Sequence, residues 1–282
     1  MDSLKHYLIL ILLIPLSLFA QTEPPAYGAR AVGLGNAFVG VRGDFWSLFH
    51  NPAGIGGIEA PAGGLFFEQR YLLSEINNGG MGFVYPFADR QAAGVQIYSL
   101  NVSTYSEVRA GLTYGIALFE KLSLGAQVNY KSFQIEEFGN ADAFFVDVGL
   151  NVQITDDLSL GFTGTNVNRV RLQAQTLRED LATRISAGLA YRPTEKVMFV
   201  ADLQKEVDRD VSFRGGVEYW INDYLIARIG MSNEPLTLNG GFGVAFKQFF
   251  LDATLAFHER LGYTPYISLS YVFSKKEPQD TE

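Results

Sequence analysis

Little in this sequence can do covalent chemistry. His6 lies in an apolar leader, which leaves His50 and His258 as the only imidazoles beyond it. Neither has a second histidine at metal-ligand spacing. The absence of cysteine excludes disulfides, cysteine-ligated zinc, iron–sulfur clusters and thiol nucleophiles. His258 beside Glu259, with a distant Ser or Asp, is the one arrangement that would suit a surface hydrolase; an interfacial aromatic is its simpler role. The stretch from Gly33 to Phe38, GLGNAF, has only the first two glycines of a dinucleotide fingerprint and follows no strand pattern. The sequence therefore predicts no enzyme, no metal and no cofactor. A net charge of −8, with both signs mixed along the chain, argues against nucleic acid as a partner.

What remains is electrostatics. Glu68, Arg70, Arg109, Asp147, Arg184, Asp202, Arg214, Glu218, Arg228 and Asp252 all fall within segments that alternate apolar and polar residues with period two. In Lys121–Lys131, Leu122, Leu124, Ala126, Val128 and Tyr130 share one face, and Ser123, Gly125, Gln127, Asn129 and Lys131 share the other. Fourteen such segments are expected: 64–71, 79–86, 91–101, 105–119, 121–135, 142–155, 157–166, 180–192, 195–206, 210–221, 223–232, 236–247, 248–258 and 264–274. Most have about ten residues or more, which exceeds the usual globular strand and suits a tilted strand crossing a bilayer. Alternate connections are very short and the others are expected to be longer, the two-rim asymmetry of outer-membrane barrels. Aromatics near strand ends, among them Tyr71, Trp220, Tyr224 and Phe249, fit interfacial girdles.

A magnitude decides which face is which. A basic side chain facing lipid near the midplane costs about 2–4 kcal/mol. Four in-strand arginines so placed would erase a typical stability of about 5–15 kcal/mol. The charged set must point into the lumen. It either forms ion pairs that fasten an internal segment to the wall, or lines a polar path that selects solutes by charge.

Lys5 and His6 precede the apolar run Tyr7–Phe19, and Ala20 offers a cut before Gln21, so residues 1–20 read as a signal peptide. The tail 275–282 is expected on the periplasmic side. A fourteen-strand barrel is too wide for wall side chains alone to fill. Residues 21–61 are the only sizeable piece left over, and they are expected to form a hatch in the lumen. Within them, Asp44 is expected to cap a short apolar turn, Phe45–Phe49, that Pro52 and Gly54 end.

The same segment carries a resemblance. Gly28–Ala31, Gly33 and Gly35, Ala37–Val39, Asp44, and Asn51, Pro52, Ala53 and Gly54 together resemble the N-terminal signature of PorV/PorQ-type proteins within the FadL-like outer-membrane barrel superfamily. The resemblance implies an all-β fold, a 14-stranded antiparallel transmembrane β-barrel with an N-terminal hatch segment in the lumen. It implies the outer membrane of a Gram-negative bacterium, with outer-membrane lipid as the surrounding partner. It also implies a role as an accessory, partner-binding component of a type IX-like secretion system, whose partners are other secretion proteins. The alternative is FadL-like passive transport of a hydrophobic small molecule. A continuous apolar pocket leading from the outer loops to the hatch favours transport; a lumen packed shut by ion pairs, with an apolar or protein-sized docking surface at the rim, favours the scaffold.

Overall fold

The computed structural model describes residues 26–136, 139–173, 178–207 and 209–273. The proposed signal peptide and tail lie outside them. Fourteen strands close into one antiparallel barrel: β1 (Ala62–Gln69), β2 (Ile76–Ala88), β3 (Gln91–Val102), β4 (Tyr105–Phe119), β5 (Leu122–Ile135), β6 (Gly139–Gln153), β7 (Leu158–Thr165), β10 (Arg184–Thr194), β11 (Val197–Glu206), β12 (Val211–Trp220), β13 (Leu225–Asn233), β14 (Leu236–Phe246), β15 (Phe249–His258) and β16 (Gly262–Val272). A small hairpin, β8 (Arg171–Gln173) with β9 (Arg178–Asp180), forms a separate two-stranded sheet. β1 pairs with β16 in the register Leu65↔Leu269, which closes the sheet and leaves the barrel no free edge.

The alternation works inside out relative to a soluble protein. On β5 the polar Ser123, Gln127 and Asn129 are buried, whereas Leu124 and Val128 are exposed. Leu112, Ile185, Ile229 and Phe242 extend the same apolar outer surface around the barrel. Only a hydrocarbon surround solvates such a surface without cost. No helix among the described residues is long and apolar enough to cross a membrane; the wall itself has the strand lengths to do so.

One expectation about the rims needs correction. The connections of the second rim are not generally longer: 103–104, 234–235 and 259–261 are as tight as the turns opposite. Only 70–75 and 166–183 are extended, and 166–183 holds the unanticipated hairpin β8–β9. The wall is also uneven. β2–β6 run 12–15 residues, whereas β10–β16 run 9–11. β6 pairs with β7 only between Val148 and Gln153, so its first half rises past the end of β7 beside the 166–183 connection.

Candidate functional site

Residues 26–61 run inside the barrel, and most of them are buried. A short helix α1 (Ala29–Gly33) turns at Gly35 and Asn36, both at positive φ (70° and 61°). A second, α2 (Ser47–His50), is followed by a 3₁₀ turn, Pro52–Gly57. Gly35 is needed twice over: its φ lies in the left-handed region, and a Cβ there would sit 2.8 Å from the Gly215 carbonyl oxygen and the Met231 nitrogen of the wall. The wall answers with glycines of its own. At Gly161 a Cβ would occupy the space of the Val39 carbonyl.

The motif residues act mostly through backbone. Asp44 Oδ1 accepts from the Trp46 N–H at 2.8 Å, and its other oxygen pairs with Arg30. Asn51 donates through Nδ2 to the Val39 carbonyl at 2.7 Å and the Leu150 carbonyl at 3.3 Å, while its Oδ1 accepts from the Ala53 N–H at 3.1 Å. Pro52 therefore does not end the apolar turn as expected. Asn51, extended at φ −149°, ends it, and Pro52 opens the next one. Gly54 accepts from the Gly43 N–H at 2.9 Å and packs on Ser47, and Gly33 packs against Thr254 and Arg228.

The charged residues do point inward, and most are brought together. One chain of ion pairs runs Asp44, Arg30, Glu218, Arg228, Asp252, with 2.8 Å for Arg30–Glu218, 2.7 Å for Glu218–Arg228 and 2.6 Å for Arg228–Asp252. Burial opposes the Arg30 cation, but Asp44 and Glu218 hold its guanidinium well above its ordinary value. A second cluster joins Arg109 to Asp147 (2.8 Å), Asn129 (3.0 Å) and the Tyr27 hydroxyl (3.1 Å). Burial pushes the Tyr27 phenol up, so it stays neutral there. Glu68 and Arg70 pair with each other, although Arg70 sits in a turn just past β1.

Three predicted residues behave differently. Asp202 Oδ2 takes no cation; it accepts the N–H groups of Phe38 (2.8 Å) and Val39 (3.1 Å). Arg184 reaches Glu206 only at 3.9 Å. Arg214 stands opposite Asp202 in the β11–β12 register, yet it makes no ion pair with it, and its buried Nε has no hydrogen-bond partner among the described residues. Sequence reasoning missed Arg30 as the hub of the network and the buried Glu107–Lys131 pair (3.0 Å). A cation in a segment that must be enclosed was the available signal for Arg30.

His50 donates from Nε2 to the Tyr27 carbonyl at 3.0 Å, and burial lowers its pKa to about 4, so it is neutral in the folded chain. His258 ends β15, where Nδ1 accepts the N–H groups of Arg260 and Leu261. The described residues hold no group of three or more potential metal ligands.

The interior has two characters. A polar chamber of about 70 Å³ lies between the segment and β4–β12, walled by Arg109, Arg184 and Arg214. Toward the loop rim, the tall strands are lined differently. Phe133, Ala141 and Ala143 are buried under Val170 and Leu181 of the 166–183 connection. Tyr105 joins this patch to Val102, Leu100 and Tyr98, and so to Phe66, Tyr27 and Phe49 at the enclosed segment.

Solved structures share this architecture. The toluene transporter TodX of Pseudomonas putida superposes with a TM-score of 0.68 at 13% identity, over 89% of this chain and 98% of the other. The monoaromatic hydrocarbon channel CymD gives 0.69 at 15% identity over 88% and 98%. A FadL homologue from Pseudomonas aeruginosa gives 0.67 at 13% over 89% and 99%. The chain has a FadL-like fold. At such identities the likeness is one of fold, and no family model or curated protein matches the sequence. In this FadL-like barrel the finer PorV/PorQ resemblance rests on the N-terminal motif alone.

Proposed function

We propose that this chain is a passive conduit for small hydrophobic molecules in the outer membrane of a Gram-negative bacterium, with residues 26–61 as its hatch. One observation carries the reading. On the inner face of β3–β6, two buried apolar clusters run from the 166–183 connection, through Phe133 and Tyr105, to the aromatic side of the hatch at Tyr27 and Phe49, with the Glu107–Lys131 pair set between them. A barrel that served only as a scaffold has no need to line its loop-side interior with phenylalanine and alanine. The secretion-accessory role, which the N-terminal motif implied, gains nothing from the solved structures similar in fold, among them a toluene transporter and a monoaromatic hydrocarbon channel.

The test is uptake of radiolabelled toluene at low concentration by Gram-negative cells with an intact lipopolysaccharide layer, with and without the full chain expressed. Faster uptake with the chain, reduced by Phe133→Asp, is expected. Equal uptake with and without it overturns the proposal.

A further inference from the structure

The polar chamber has a property that the conduit does not require. Its lining carries three arginines, Arg109, Arg184 and Arg214, and one carboxylate, Asp147. That carboxylate is fully engaged: Oδ2 takes Arg109 and Asn129, and Oδ1 takes the Asn166 N–H. Glu206 Oε2 lies 3.9 Å from the Arg184 Nε, beyond hydrogen-bond reach, and its Oε1 takes Arg209 at 3.1 Å. Asp202, placed across from Arg214, commits Oδ2 to two backbone N–H groups of the hatch, while its buried Oδ1 has no hydrogen-bond partner among the described residues and does not reach Arg214. The Nε atoms of both Arg184 and Arg214 are buried without a hydrogen-bond partner among the described residues. Thr163, Thr165 and Ser186 line the same space. Asn36 also lines it, from a left-handed turn at φ 61°.

Buried guanidinium N–H groups without acceptors are costly, and native proteins satisfy them. We infer that the chamber is a binding site for one small anion, a carboxylate or inorganic oxyanion held between Arg184 and Arg214. Paired N–H donors suit two oxygens of such a group, and the hydroxyls supply further donors. The chamber's volume admits a group of a few heavy atoms, so the anion is compact or is the head of a larger molecule. Because hatch and wall both contribute, the bound anion ties the hatch to β10 and β12. The inference does not rest on transport: it stands or falls whether or not hydrophobic molecules pass.

The experiment titrates the purified full chain in neutral detergent with sodium acetate, sodium sulfate or uncharged acetamide, following the thermal midpoint and the heat of binding. A saturable rise with acetate, sulfate or both, absent with acetamide, is expected. The better of the two salts separates a carboxylate from an inorganic oxyanion. Arg214→Gln is expected to abolish the response and Arg184→Gln to weaken it at least tenfold, while Arg214→Lys retains part of it. Folding of each variant is checked by heat-dependent gel migration; should Arg214→Gln fail to fold, Arg184→Gln and Arg214→Lys carry the test. A response that never saturates, or one unchanged in the folded variants, overturns the inference.

Discussion

Arg30 and Glu218 grip each other in a fork, Nε to Oε2 and Nη2 to Oε1, both at 2.8 Å. One belongs to the enclosed segment and the other to β12, 188 residues further along the chain. Glu218 also takes Arg228, whose side chain is 1% exposed. Both partners of a buried charge must be present, because removing one leaves the other desolvated and alone.

Glu218→Gln therefore strands two cations on Asp44 and Asp252. The expected loss is about 3–5 kcal/mol of folding stability, typical of a broken buried pair. Arg90→Ala disturbs only the exposed contact with Glu120 at 3.8 Å and is expected to cost about 0–1 kcal/mol. Thermal unfolding of the two variants side by side checks the difference. Arg214→Gln, which breaks no pair, is expected to resemble Arg90→Ala when no small anion is supplied.

The second prediction concerns fit. A Cβ at Gly161 collides with the Val39 carbonyl, whereas at Gly240, on the outer face, nothing lies within 4 Å. Gly161→Ala is expected to push the hatch from its seat, at about 1–3 kcal/mol for overpacking. In planar bilayers its single-channel conductance is expected to exceed that of Gly240→Ala. Equal conductance of the two argues against residues 26–61 as a plug.

His50 makes a prediction about pH. Burial lowers its pKa from 6.5 to about 4; nearby Arg214 pushes the same way, while the Tyr27 carbonyl and Asp44 oppose. The unfolded chain thus binds a proton that the folded chain refuses between those values. Stability from this group is fully present above about pH 6.5 and falls as pH drops toward 4, by at most about 3 kcal/mol. Thermal midpoints at pH 7.5 and 5 check this: His50→Gln is expected to lose stability less steeply on acidification than the unaltered chain.

The sense of the wall was legible in the sequence because Ser123, Gln127 and Asn129 alternate with Leu124 and Val128, and only one environment tolerates each set. The strand count followed from the same alternation. The pairing of charges was not legible. Asp202 and Arg214 face each other in register, and a strand-by-strand reading would join them, but the Phe38 and Val39 N–H groups claim the carboxylate first. That choice depends on where an enclosed loop comes to rest, which no local pattern records. Asn51 was legible as a motif residue, but its bonds to Val39 and Leu150 were not, for the same reason.

The last prediction turns on the 166–183 connection. Val170 and Leu181 cover Phe133, Ala141 and Ala143, so the apolar lining opens only if that cover lifts. Since the chain has no cysteine, a pair of thiols can be placed cleanly at Val170 and Ala141. A short bifunctional thiol cross-linker is expected to hold the connection down and to reduce toluene uptake to the level of cells lacking the protein. The same double variant without cross-linker is expected to take up toluene normally, which separates closure from damage. If the cross-linked barrel transports as fast as the free one, hydrophobic molecules do not enter beneath this connection, and the apolar lining serves packing alone.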